Sequence, residues 1–138
     1  MQSFLHLPKK DSKGQSLVEF ALALPILVML VLGIIQFGII WYGQIAITSA
    51  SREGARLASV GEDESEILLR INKITIDIPF LYVDLEDVII EPDPKVIGEE
   101  VSVKVSGTVD VIIPFLDYFI GKDKHTVYSE TSMRCQHY

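Results

Sequence analysis

The sequence predicts an α+β protein: a long N-terminal transmembrane helix, then a small extracytoplasmic domain with a short helix and an antiparallel sheet of about three strands. Three observations lead there. Residues 20–42 form an apolar run broken by a single polar side chain, Gln36. Small and apolar residues at helical spacing (Ile45, Ala46, Ser49, Ala50, Gly54, Leu57) continue it outward, with no strong breaker before Gly61. Beyond Gly61 the pattern changes to an acid-led amphipathic stretch and then to strict alternation, as in "VSVKVSG".

The first 14 residues read as a basic leader. They carry Lys9, Lys10 and Lys13 against Asp11, a net of +2, whereas residues 15–51 contain only Glu19 and residues from Arg52 onward carry a net of −8. Basic residues before an apolar span and acidic bulk after it place the N-terminus in the cytoplasm and the C-terminus outside. Arg52 and Arg56, just beyond the span, oppose that bias. An acidic chain, net −7 in total, lacks the basic patch that a phosphate backbone requires, so nucleic acid is not an expected partner.

Residues 15–60 read as one long helix, about 69 Å at about 1.5 Å per residue. Its transmembrane part is placed at about residues 20–42, which satisfies the roughly 20 apolar residues needed to cross a bilayer core. The run exceeds the length of a cleaved secretory signal. Pro25 lies inside it, either as a simple kink or as a bend that helps helices pack. Gly33, Gly38 and Gly43 recur at five-residue spacing, so they do not form a GxxxG face. Ala50, Gly54 and Ala58 do form a small-residue line, read as helix packing or as an interface. Trp41 and Tyr42 sit where an aromatic belt is expected, and Arg52 and Arg56 are placed to reach headgroups by snorkelling. Glu53 and Arg56 are spaced as an i,i+3 pair.

Residues 61–138 read as the extracytoplasmic domain. "EDESEILLRINKI" has acids in its first turn and Ile67, Leu68, Ile71 and Ile74 on one face, a short helix that Pro79 ends. "DVIIEPDPKVIGEEVSVKVSGTVDVIIP" reads as two strands joined by a turn built on Pro92, Pro94 and Gly98, with Gly107 marking a bulge or bend. "PFLDYFIG" is an apolar knuckle, and "HTVYSETSMRCQ" supplies a further strand. Cys135, the only cysteine, excludes an intramolecular disulfide; it is read as a free thiol near a strand or as one that pairs with another chain.

Chemistry is sparse. His6, His125, His137 and Cys135 lack metal-ligand spacing, "EDESE" and "EPDP" lack a calcium-loop pattern, and no Ser-His-Asp set or phosphate loop can be assembled. No enzyme, cofactor, metal or small-molecule substrate is expected. What stands out is Glu19 at the mouth of the apolar run, since a charge deep in a spanning helix costs roughly 2.5–3.5 kcal/mol. Were the chain cut between Gly14 and Gln15, the new amine, with a pKa near about 8, would lie one helical turn from Glu19. It would neutralise that carboxylate within a subunit or in a neighbour.

"KGQSLVEFALALP" resembles the class III signal of type IV prepilins, with glycine before the cut and glutamate fifth after it. The longer string through "SREGARLAS", with Pro25, Gly33, Gly38 and "REGAR", resembles the TadE family, pilin-like proteins of tight-adherence (Tad, or Flp) pilus systems. The resemblance implies cleavage after Gly14 by a membrane-embedded prepilin peptidase, and a role for Glu19 in subunit pairing. It also implies an inner-membrane location and partnership with other pilin-like subunits and the pilus assembly machinery. A first residue of Gln15, where type IV pilins usually carry phenylalanine, leaves open a free, methylated or cyclised terminus. The competing expectation is an unprocessed single-pass anchor whose acidic outer domain binds a surface or secretion complex.

Overall fold

The structure, a computed structural model, describes residues 12–92, 98–113 and 124–136. It divides into two units, residues 1–34 and residues 35–138. Helix α1, Ser12–Ser59, runs through both.

In the first unit the described residues are all helical, and almost every side chain from Gly14 onward is exposed. Leu17, Leu22 and Ile26 are each about 70% exposed. Side chains this apolar gain nothing from water and have no core of their own, so they require another apolar medium. From Gly14 to Ser59 the helix is long and apolar enough to cross a membrane.

The second unit holds the rest of α1, helix α2 (Glu64–Thr75) and four strands: β1 (Leu81–Tyr82), β2 (Ile89–Glu91), β3 (Glu100–Asp110) and β4 (Lys124–Arg134). The expected three strands are four, because a two-residue strand, too short to show periodicity, pairs with β3. All pairings are antiparallel. β4 pairs β3 along its whole length, from Glu100↔Arg134 to Asp110↔Lys124. β1 and β2 share the opposite edge, at Val109 and Val103 respectively.

Alternation along β3 sets the core. Val101, Val103, Val105 and Val109 point inward and are at most 1% exposed, while Ser102, Lys104, Ser106 and Thr108 take the other face. α1 meets that inner face through Ala46, Ile47, Ala50, Ser51, Gly54, Ala55 and Ala58, all buried. The small residues let the helix lie close: a Cβ on Gly54 would come within 3.1 Å of Val103 and 3.2 Å of Ile71. The Ala50–Gly54–Ala58 line therefore packs on the chain's own sheet and second helix. Gly107 is not at a bulge, since the register with β4 is unbroken. Its missing side chain instead admits the Tyr82 carbonyl, which a Cβ would meet at 3.0 Å.

α1 ends in a Schellman motif: Gly61 adopts φ +86°, its N–H bonds the Ala58 carbonyl, and Glu62 N–H bonds that of Leu57. α2 follows with Glu64 and Glu66 in its first turn, where the helix dipole favours them, and Ile67, Ile71 and Thr75 buried. The β2–β3 turn is described at Pro92 and from Gly98, where φ is +87°; Pro94 and the "PFLDYFIG" knuckle lie outside the described residues.

Candidate functional site

The segment from Gly14 to Glu19 occupies the first turns of α1. The Gly14–Gln15 bond lies where backbone N–H groups have no intrahelical acceptor, in a turn further weakened by glycine, so local opening is inexpensive. Gly14 has no atom within 4 Å of where a Cβ would stand. Gln15 and Glu19 are exposed and one turn apart on the same helix face. Glu19 is surrounded by exposed Leu17, Val18, Phe20 and Leu22. No hydrogen bond or ion pair to it forms among the described side chains. Pro25 sits within the continuous helix, where it deprives the Ala21 carbonyl of its donor.

Further along α1 lie the residues expected at the membrane interface. Trp41 is 60% and Tyr42 52% exposed, and the Trp41 ring stacks on Phe37 with centroids 5.9 Å apart. Arg52 is exposed. Arg56 makes the expected i,i+3 pair with Glu53, its Nε 3.0 Å and Nη2 2.9 Å from the two carboxylate oxygens. Arg70 of α2 adds a third bond to Glu53 at 3.2 Å, tying α2 to α1. Arg56's hydrogen bonds to the Glu53 carboxylate, helped by its charge and by Arg70, hold Glu53 at a pKa of about 2 against an opposing effect of burial. Cys135 is 3% exposed and packs in the core, its Sγ 3.8 Å from the Ala58 carbonyl. Pairing this thiol with another chain requires the end of β4 to leave α1.

Two polar residues of α1 that periodicity does not single out prove structural. Gln36, 4% exposed, donates from Nε2 to the Asp110 carbonyl at 3.1 Å and accepts at Oε1 from Ile112 N–H at 2.8 Å. Its isolation within the apolar run was the available signal. Ser51, fully buried, donates to the Val103 carbonyl at 2.8 Å and meets the Thr131 hydroxyl at 2.9 Å. Only its place on the small-residue face marks it in sequence.

Among the described residues no group of three His, Cys, Asp or Glu side chains is arranged to hold a metal. One open hollow among the described residues, about 670 Å³, is lined by Tyr82, Asp84, Asp87, Ser106, Thr108 and Thr126 with Val83 and Gly107.

No curated protein and no solved structure gives a match to the chain. Residues 14–56, beginning at the glycine before the expected cut and ending at Arg56, match the family model of TadE-like proteins.

Proposed function

We propose that the chain is a TadE-like pseudopilin, a structural component in the assembly of a Tad pilus, cut after Gly14 by a prepilin peptidase. The observation that carries this reading is the family match over residues 14–56, on a helix whose Glu19 is exposed among apolar side chains. Cleavage supplies what Glu19 lacks. An ammonium on Gln15 of a neighbouring subunit would pair with the carboxylate in an apolar bundle, where only a paired charge is tolerable, and the pair would set the axial register between helices.

Intact-mass spectrometry of protein extracted from membranes tests this. Cells with an active prepilin peptidase are expected to yield a chain beginning at Gln15. A chain retaining Met1 in those cells overturns processing and leaves an unprocessed anchor whose acidic outer domain binds a surface or secretion complex.

A further inference from the structure

The two ends of β3 differ in character. At the Glu100 end the chain is polar: Cys135 N–H bonds the Glu99 carbonyl, Gln136 N–H bonds that of Ser59, and the acidic run Glu62, Asp63, Glu64 and Glu66 follows directly. At the Asp110 end, beside Asp110 and Lys124, large apolar side chains stand exposed. There Phe80 and Ile112 are each 46% exposed, beside the part of α1 that carries exposed Phe37 and Trp41. Phe80 is held at φ +63°, a left-handed conformation that bulky residues rarely adopt, and Asp110 N–H fixes it by bonding the Phe80 carbonyl at 3.1 Å. Strain of this kind persists only where the surrounding structure enforces it.

Gln36 joins α1 to this end, and its position explains its chemistry. It satisfies the carbonyl of Asp110, the last residue of β3, and the N–H of Ile112 just beyond the ladder. In water such groups need no protein partner; at membrane depth an unsatisfied one costs several kcal/mol. A neutral amide supplies one donor and one acceptor there without introducing a charge. Within this unit α1 carries exposed apolar Ile35, Phe37 and Trp41 on either side of Gln36.

We propose that the Asp110 end of the C-terminal domain, through Phe80 and Ile112 together with Phe37 and Trp41, is seated in the headgroup–acyl boundary of the bilayer. The domain itself thus makes a second membrane contact, and its acidic end faces away from the lipid. Interfacial seating of this kind buries apolar side chains about 5–10 Å deep. The contact rests on α1 crossing the membrane, but not on processing or on a pilus.

Single cysteines at Ile26, Ile112 and Leu69 of the full chain, in a Cys135→Ala background, test it. Each is labelled with an environment-sensitive fluorophore and reconstituted in phosphatidylcholine vesicles with and without brominated acyl chains. Gln36 binds the backbone of residue 112, so Ile112→Cys retains that bond. The bromolipid is expected to remove about half or more of the emission at Ile26 and at Ile112, and to leave Leu69, on exposed α2 surface, unchanged. Emission at Ile112 that matches Leu69 while Ile26 is quenched overturns the contact and leaves α1 spanning. Absence of quenching at Ile26 overturns both. Shielding at Ile112 that bromolipid does not quench, and that fades when the vesicles are diluted with lipid, assigns the surface to a second copy of the chain and overturns the lipid assignment.

Discussion

Gln36 accepts a hydrogen bond from the backbone N–H of Ile112 at 2.8 Å, across 76 positions of sequence. With the bond it donates to the Asp110 carbonyl, one side chain within the apolar run fixes where the sheet begins on α1. Replacing it by an isosteric apolar residue, Gln36→Leu, strands a donor and an acceptor. The expected loss is about 1–3 kcal/mol for such groups. Hydrogen exchange on detergent-solubilised protein locates the effect: the Ile112 amide loses protection, while the β3 amides paired with β4 keep theirs.

Glycine replacements separate packing within the chain from packing between chains. Gly107→Ala is expected to destabilise by about 1–3 kcal/mol, the range for overpacking, because the new methyl meets the Tyr82 backbone carbonyl at 3.0 Å with Val83 and Ile47 at 3.1 and 3.2 Å. Gly43→Ala brings its methyl to 2.9 Å from Cγ2 of the fully buried Val109, a β-branched side chain stiff at χ1, so a loss in the same range is expected. Gly33→Ala and Gly38→Ala meet nothing within 4 Å and leave the domain's denaturation midpoint unchanged. If either abolishes assembly with that midpoint intact, the glycine lies at a helix–helix contact.

Glu53 predicts an acid dependence with a definite sign. Its folded pKa of about 2 lies below the ordinary value of 4.5, first because Arg56 hydrogen-bonds the carboxylate. A depressed carboxylate contributes stability that is fully present above the unfolded pKa and is lost as pH falls toward the folded one. The contribution is therefore complete at neutral pH, declines below about 4.5 and is gone below about 2. Glu53→Gln lowers the denaturation midpoint at neutral pH and converges on the parent in strong acid. Because Arg56 and Arg70 are about half exposed, added salt narrows the difference.

The elements with strong periodicity were legible because a repeated pattern reports burial on one face. β3 shows this in its valines, α2 in Ile67 and Ile71, and the membrane helix in sheer length of apolar sequence. β1 was not legible: two residues carry no period, and Leu81–Tyr82 is a strand only because Val109 and Thr108 lie opposite. Gly107 looked like a bulge, since glycine in a strand signals either a bulge or a close approach, and only the position of the Tyr82 carbonyl decides between them. Ser51 was silent for a related reason, and Gln36 showed only as an isolated polar residue in the apolar run. A lone polar residue acquires its role from partners 52 to 80 positions away, which local spacing does not encode. Around Gly14 and Glu19 the reverse holds, because there the motif carries the reading and no ion pair to Glu19 forms among the described residues.

That contrast makes Glu19 the residue on which the functional proposal is most exposed. Glu19→Ala removes an exposed carboxylate without disturbing any core contact, so the fold of the C-terminal domain and its denaturation midpoint are expected to stay as they are. Membrane insertion should improve slightly, since the charge is the one unfavourable group near the start of the apolar run. If the carboxylate pairs with the amine of a neighbouring subunit, cleavage after Gly14 continues while pilus assembly is lost. Glu19→Gln separates charge from shape: it keeps the side chain's size and hydrogen-bonding capacity but cannot neutralise an ammonium, so it is expected to resemble alanine. Both variants are read by intact mass for cleavage and by electron microscopy for pili. Normal piliation in Glu19→Gln would mean that charge pairing is not what the carboxylate provides, and normal piliation in both would return Glu19 to a solvated position at the membrane edge.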